Sequence, residues 1–222
     1  MSIAEETVKN HLGSDLGHSL FFKEHIMVRS FKARVRNVLI SSANEYKDNF
    51  ANKLYLIFAK EFKFSKYYTV LAKEDNFLHL TGVATNLKPL DFYNKCISGN
   101  LLESDFDIGN KQRKGSNRRK INVLNDAMNM FVSGKKIVVE EKFVKNKVVC
   151  SFATSDNTCM LGFVLENNAK PKTLLKGNEL KNIIDVELIV ELDNYSDEVK
   201  RVVYNPSKYS EDEIIDIILD RS

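Results

Sequence analysis

The sequence has no long apolar run and no segment typical of a secretory signal. Its longest apolar stretches, such as Tyr55 to Ala59 and Val186 to Val190, fall far short of the about 18 residues that cross a bilayer. The N-terminus lacks a basic stretch followed by an apolar stretch and a small-residue cleavage site. We therefore expect a cytoplasmic protein that has no membrane partner.

Cysteine is scarce, and its positions do not suggest a disulfide framework. Cys96, Cys150 and Cys159 are odd in number and fit no metal-ligand spacing. Such residues are typical of reduced thiols that pack as small hydrophobic side chains, which agrees with a reducing cytoplasm.

The classical catalytic motifs are missing as well: there is no phosphate-cradling GxxxxGK[ST], HExxH, CxxC or GxSxG. Glu140 and Glu141 are adjacent in a predicted strand and so face opposite sides, which disfavours a two-metal nuclease. His11, His18 and His25 repeat every seven residues, but glycines interrupt them and no other ligand stands at a suitable spacing, so a solvated stripe is favoured over a metal site. We predict no cofactor and no metal.

The charge is unevenly distributed along the chain. Residues 179–222 hold 12 acids against 5 bases, and residues 1–178 hold 18 acids against 28 bases, which gives −7 and +10 for a total of +3. A large cationic part favours a polyanionic partner, of which nucleic acid is the commonest, although the same charges also serve as a solubilising surface.

The apolar pattern predicts one α+β domain over residues 35–222, preceded by an extension over residues 1–34. Helical spacing begins at Val38 and recurs around Leu90 to Ile97, after Ile121, in a short patch at Glu179 to Ile184, and in a last helix. Ser210 and Glu213 are spaced as the capping box of that last helix. Strands are predicted at 55–58, 67–72, 77–81, 136–143, 148–154, 159–166, 186–192 and 201–204, with the three from 136 to 166 forming an antiparallel meander.

A basic stretch interrupts this pattern between the second and third helices. Residues 105–120 read DFDIGNKQRKGSNRRK and predict a mobile loop. As an RNA contact the loop would bind phosphates without reading sequence; as an exposed insertion it would bind nothing. The basic residues concerned are Lys111, Arg113, Lys114, Arg118, Arg119 and Lys120.

The segment FLHLTG at residues 77–82 contains the most informative histidine. In a strand, Leu78 and Leu80 would face the core, and His79 would stand beside Thr81 on the opposite surface. An imidazole there is able to transfer protons near neutral pH, whereas a structural histidine would instead bond a backbone carbonyl.

FLHLTG and four later segments resemble the phage- and mobile-element-associated branch of the Barnase-EndoU-Colicin-RelE-like nuclease superfamily. The later segments, in order, are DFYNKCISGNLLESDF at 91–106, the INVL helix from 121, CMLGFV at 159–164 and PKTLL at 171–175. The resemblance covers about residues 37–206. It implies N-terminal helices packed on a curved antiparallel β-sheet, with a C-terminal helix.

The resemblance also implies an activity, which is metal-independent RNA cleavage. In the mechanism that such nucleases share, the ribose 2′-hydroxyl attacks its own phosphodiester and leaves a cyclic phosphate and a 5′-hydroxyl. His79 and Thr81 belong to the matched motif, with His79 as the general base or acid. A sheet nuclease of this type commonly adds a second polar or cationic catalytic group from its late strands. The matching strands here offer only hydroxyl side chains, among them Thr154.

Three functions therefore remain open from the sequence. The first is an endoribonuclease that acts as a toxin or as a conflict protein of a phage or other mobile element. In it, Lys95 would be the second catalytic residue, unless it only forms a helix-surface ion pair with Asp91. Tyr93 would stack on unpaired bases. The second is a catalytically inactive inhibitor of a host defence system, such as an anti-CRISPR, bound to RNA or protein. The third is a small interaction domain whose acidic C-terminal helix binds a partner. The possible protein partners are an antitoxin or a host defence protein.

Overall fold

The protein is an α+β molecule with a large curled sheet that resembles half a barrel. A computed structural model describes residues 30–219, except 110, 146 and 197. The predicted N-terminal histidines lie outside the described residues. None of the described helices combines the length and the apolarity that crossing a membrane requires.

The first helix, α1 (Phe31–Asn49), begins where Ser30 accepts a hydrogen bond from the backbone N–H of Ala33 at 3.0 Å. Its buried residues recur at three- and four-residue spacing, and they include Val35, Leu39 and Tyr46. The sequence predicts this helix from Val38. Its first turn, residues 31–34, lies within the segment 1–34 that was assigned to the extension.

In the part of the chain that the structure describes, nine strands form one sheet in the order β11-β10-β1-β2-β8-β7-β6-β3-β9. Their bounds are β1 (Leu54–Phe58), β2 (Tyr67–Leu71), β3 (Val138–Glu141), β6 (Phe152–Ser155), β7 (Cys159–Leu165), β8 (Ala169–Lys176), β9 (Ile184–Asp185), β10 (Leu188–Leu192) and β11 (Val199–Tyr204). Neighbouring strands are antiparallel except β2 and β8, which pair in parallel through Val70 and Ala169. A separate hairpin joins β4 (Val144–Lys145) to β5 (Val148–Val149).

Both faces of β1 are covered, which explains its uninterrupted apolar sequence. Tyr55 and Ile57 face the main core beneath the helices, whereas Leu54 and Leu56 belong to a second cluster on the other face. The second cluster is closed by the C-terminal helix α6 (Glu211–Leu219), whose predicted capping box at Ser210 is confirmed.

The predicted strand at 77–81 is wrong, because these residues form the short helix α2 (Phe77–Thr81). A 3-10 turn at Glu74–Asn76 leads into α2, and Gly82 ends it in the left-handed conformation. Phe77 and Leu80, three residues apart, are both buried, as one face of a helix requires. A five-residue apolar run fits a strand equally well by pattern alone.

Two further predictions of local structure are corrected. The stretch expected to be a basic loop contains the helix α4 (Lys111–Ile121), which follows α3 (Pro89–Ile97) and precedes α5 (Leu124–Met128). The helical patch expected at Glu179 to Ile184 is not a helix, because Ile184 pairs with β3 as part of β9. The meander of β3, β6 and β7 is confirmed.

Candidate functional site

His79 is exposed on α2 and is the only histidine after residue 25. Phe77 and Leu80 anchor this helix in the core, so the imidazole is carried on a fixed element rather than on a loop. The expectation of an exposed imidazole is met, but on a helix at the end of β2 and not on the open face of a sheet.

The basic helix α4 lies directly against the end of α2. A Cβ atom on Gly82 would lie 2.9 Å from Lys120 Cδ and 3.1 Å from Asn117 Oδ1. The φ angle of Gly82 is +73°, which also favours glycine. The last residue of the FLHLTG segment is therefore the contact point between the histidine-bearing helix and the basic helix.

Asn117 fixes the position of α4 and was not singled out in the sequence. Its side chain is buried, and Nδ2 donates a hydrogen bond to the backbone carbonyl of Ile108 at 2.7 Å. Asn117 lies among lysines and arginines in the polar stretch at 105–120. The composition of that stretch gives no signal that one of its amide side chains is buried.

Lys120 is half-buried at this contact. Partial burial lowers the pKa of its ammonium below the ordinary lysine value of 10.5. Among the described residues, no carboxylate lies within ion-pair distance of it. An ammonium held without a carboxylate partner and partly shielded from water attracts an external anion more strongly than a fully solvated one.

A surface of further cations extends from Lys120 along α4 toward α1. Arg118 and Arg119 are exposed. The guanidinium carbons of Arg118 and Arg34 lie 5.6 Å and 5.7 Å from the centroid of the Phe31 ring. We call Arg34, Arg118, Arg119 and Lys120 the α4 basic face. Lys111, Arg113 and Lys114 belong to the N-terminal part of the same helix, but their side chains lie outside the described atoms.

Thr81 does not stand beside His79 on a surface, so that expectation is wrong. The residue is fully buried, its hydroxyl donates to the carbonyl of Leu78 at 2.8 Å, and it accepts from the N–H of Val83 at 3.3 Å. With both roles of the hydroxyl taken, Thr81 shapes the turn at Gly82 and thereby positions α2 against α4.

The other predicted site residues lie apart from His79 or are already engaged. Thr154 is fully buried in β6, with its hydroxyl 3.2 Å from Met130 Sδ. Lys95 is not paired with Asp91; its Nζ lies 2.9 Å from both carboxylate oxygens of Asp105.

Tyr93, expected to stack on bases, is only 3% exposed. It packs edge-on against Tyr46 and Phe77, and burial raises the pKa of its hydroxyl to about 12. No face of the ring is open to a nucleotide, because α1, α2 and α3 enclose it.

The described residues contain no group of three His, Cys, Asp or Glu side chains placed to hold a metal ion. Glu140 and Glu141 bind different segments: Glu140 accepts from the N–H of Lys181, and Glu141 from the N–H of Lys63. The three cysteines are buried and free, as predicted.

Comparison with protein families gives a match that spans most of the chain. Residues 39–221 match the family described as phage-Barnase-EndoU-ColicinE5/D-RelE like nuclease4. No curated protein and no solved structure matches the chain. The matched region includes α2, Gly82 and α4, together with every strand of the sheet. The chain belongs to this phage-Barnase-EndoU-ColicinE5/D-RelE like nuclease family.

Proposed function

We propose that this nuclease is a metal-independent endoribonuclease in which His79 transfers a proton and the α4 basic face binds the phosphate backbone. The supporting observation is the contact at Gly82, which packs the end of α2, the helix that carries the exposed His79, against the basic helix α4. Proton transfer and charge stabilisation are the two contributions that cleavage of RNA by its own 2′-hydroxyl requires.

The reaction assigns a separate task to each side chain. The neutral imidazole of His79 takes the proton of the ribose 2′-hydroxyl, whose oxygen then attacks the adjacent phosphorus. The bond from phosphorus to the 5′-oxygen breaks, and that oxygen leaves with a proton from water. The products are a 2′,3′-cyclic phosphate and a 5′-hydroxyl. Lys120 and Arg119 stabilise the negative charge that grows on the phosphoryl oxygens during attack.

The choice of RNA rests on this chemistry and on charge. DNA lacks the 2′-hydroxyl that serves as the nucleophile. The net charge of +10 over residues 1–178 favours a polyanionic substrate. Together with the phage association of the family, this favours a cytoplasmic toxin or a protein of conflict between a phage or mobile element and its host.

The test is cleavage of a mixed RNA pool by the purified protein in the presence of EDTA. We expect fragments with 5′-hydroxyl and cyclic phosphate ends. The variant His79→Ala should lower the rate by about 100-fold or more, the usual contribution of a general base. Because the side chain of His79 is exposed, the thermal unfolding of the variant should match that of the wild type. Tyr195→Ala is the control, since this ring is 98% exposed on the β10–β11 turn and should not affect cleavage.

Two results would contradict the proposal. One is full activity of His79→Ala; the other is no cleavage by the wild-type protein at several pH values. If the wild-type protein binds RNA or a nucleoprotein without cleaving it, the chain is a catalytically inactive inhibitor of the kind that acts on a host defence system.

A further inference from the structure

A second set of cations and aromatic rings occurs in the loop that joins β1 to β2. Residues 59–66 read AKEFKFSK, in which three lysines flank two phenylalanines and the one acid is Glu61. We call these residues the β1–β2 loop. Alternating aromatic and basic residues are typical of surfaces that bind unpaired nucleotides, provided that the rings point outward.

The backbone of the β1–β2 loop is held by two carboxylates, one at the end of β3 and one directly before β10. Glu141 accepts hydrogen bonds from the N–H groups of Lys63 at 2.8 Å and Phe64 at 3.1 Å, and from the hydroxyl of Tyr68 at 2.6 Å. Glu187 accepts from the N–H of Lys60 at 2.8 Å. The loop is therefore fixed before any ligand arrives, which reduces the entropy that binding would cost.

The two phenylalanines of the loop point in opposite directions. Phe62 packs edge-on against Tyr68, with ring centroids 5.1 Å apart, and contributes to the main core. Phe64, two residues later, is 58% exposed. Because the backbone N–H of Phe64 is bound to Glu141, its ring is held outward by a fixed backbone.

Lys142 supplies a cation to the same ring. Its ammonium nitrogen lies 3.2 Å from the centroid of Phe64. Lys142 has a φ of +51°, an unusual conformation for a residue with a side chain, and its N–H donates to the carbonyl of Ser151 at 2.7 Å. The turn after β3 thus directs a lysine toward the exposed phenylalanine.

The surroundings of Phe64 are concave, and lysines outnumber acids in the lining of the cleft, although Lys60 is paired with Glu187 at 3.8 Å. A cleft of about 850 Å³ lies between the β1–β2 loop and α6. Its lining includes Lys60, Lys63 and Lys66 against a single acid, Asp216. Neither Lys63 nor Lys142 has a carboxylate within ion-pair distance among the described residues.

This cleft lies at the opposite end of β2 from the His79 site. β2 leaves the loop at Tyr67 and ends at Leu71, after which the chain enters the turn before α2. The five residues of β2 alone span about 16 Å, and the 3-10 turn at Glu74–Asn76 follows before α2 begins.

We propose that the β1–β2 loop is a binding site for single-stranded RNA, in which an unpaired base stacks on the face of Phe64 opposite the Lys142 ammonium, and Lys63 and Lys142 contact the flanking phosphates. The identity of the ligand as RNA rests on the proposed function. A duplex does not fit this assignment, because its bases are already stacked on one another. The site would hold a single strand at a fixed distance from the His79 site.

The test is binding of a fluorescent 12-nucleotide 2′-O-methyl RNA, followed by anisotropy over a range of salt concentrations. This probe cannot be cleaved by 2′-hydroxyl attack. Loss of one stacked base in Phe64→Ala should weaken binding by about tenfold without changing its salt dependence. Phe64→Trp should restore binding. Lys142→Gln should reduce the slope of log affinity against log salt by about 0.7, the value for one phosphate contact on a single strand.

Tyr195→Ala is the matched control, because it removes an exposed ring elsewhere and should bind as the wild type does. Wild-type affinity in Phe64→Ala would overturn the proposal, as would an equal loss in Tyr195→Ala or equal competition by duplex RNA. The outcome is independent of cleavage. If the protein proves inactive on RNA but Phe64→Ala loses affinity for the probe, the proposed catalysis fails and this binding site stands.

Discussion

Lys120 Cδ lies 2.9 Å from the point that a Cβ atom on Gly82 would occupy. The space left by a missing side chain on one helix is thus filled by the alkyl chain of a lysine from another. Gly82 follows His79 by three residues. Of the four cations of the α4 basic face, Lys120 is the one that is half-buried. The arrangement of the proposed site depends on this one close contact.

We predict that Gly82→Ala weakens both the fold and the proposed site. The new methyl group meets Lys120 and Asn117, and the φ of +73° is unfavourable for alanine by about 1–2 kcal/mol. We expect a loss of about 2–3 kcal/mol of unfolding free energy in urea titrations, and weaker RNA binding because α4 is displaced.

Gly99→Ala is the matched control for that experiment. Gly99 also ends a helix with a positive φ, +72°, but nothing lies within 4 Å of the added Cβ atom. Its loss of stability should reflect the backbone conformation alone, about 1–2 kcal/mol. Equal effects of the two substitutions on stability and on RNA binding would show that the approach of α4 to Gly82 is unimportant.

Lys120→Met should make the protein more stable and a poorer RNA binder. Partial burial lowers the pKa of this ammonium, because the charged form loses part of its hydration. At neutral pH the folded protein keeps the charge and bears this desolvation cost, which methionine does not have. Between the lowered pKa and 10.5, the unfolded state binds more protons than the folded state, so wild-type stability should rise with pH in that window. The variant should lack this rise.

Urea unfolding at about pH 7 and about pH 10 checks the effect on stability. RNA affinity measured against salt checks the phosphate contact, since its slope should fall by about 0.7. Arg119→Met is the control: this exposed side chain should change the slope similarly but alter stability by less than about 0.5 kcal/mol. A destabilised Lys120→Met would contradict the assigned cost of burial.

The parts of the fold that the sequence predicted are those with a strong local signal. Short polar turns at 145–146 and 156–157 predict a meander of three strands, because antiparallel neighbours need few connecting residues, and β3, β6 and β7 form it. The capping box at Ser210 and Glu213 also acts within one turn of helix. Both features are stabilised by residues that are close in the chain.

The proposed site was only partly predictable, because its contacts join distant segments. His79 and the basic residues were singled out separately, but the contact of Gly82 with Lys120 has no local signature. The helix α2 is too short for its period to be read, and only the burial of Phe77 and Leu80 in the core decides its conformation. The charged sequence of α4 likewise shows no extended apolar face; its buried residues are Asn117, whose amide binds the backbone of Ile108, and Ile121 at its end.

We predict that Lys95→Gln changes RNA cleavage by no more than about twofold, because the ammonium of Lys95 is already paired with Asp105. The pKa of Asp105 is lowered first by the hydrogen bond from the N–H of Leu102 and then by Lys95. These two interactions with the Asp105 carboxylate therefore stabilise the fold fully at a pH above 3.8, the ordinary pKa of aspartate. The stabilisation is lost as the pH falls through the lowered pKa of the folded state.

Stability of Lys95→Gln and the wild type should accordingly differ by less than about 1 kcal/mol at neutral pH and converge in acid. Cleavage assays in EDTA and urea titrations over the acid range measure both effects. A 100-fold loss of cleavage in a folded Lys95→Gln would instead make Lys95 a catalytic residue, as one reading of the sequence allowed.

Two adjacent glutamates separate the role of the β1–β2 loop from general stability. Glu141 binds the backbone of this loop, whereas Glu140 faces the other side of β3 and accepts from Lys181 N–H at 2.7 Å and Asn182 Nδ2 at 3.1 Å. Glu141→Gln puts an amide donor opposite groups that are themselves donors, so the loop should loosen at a cost of about 1–3 kcal/mol.

Glu140→Gln should cost a similar amount, because its carboxylate also accepts hydrogen bonds from another segment. Only Glu141→Gln is expected to weaken binding of the uncleavable RNA, since only this carboxylate holds the N–H of Phe64. Urea titrations and anisotropy on the two variants measure these effects side by side. If both variants lose RNA affinity in proportion to their stability, the fixed backbone at Phe64 is not what prepares the loop for a single strand.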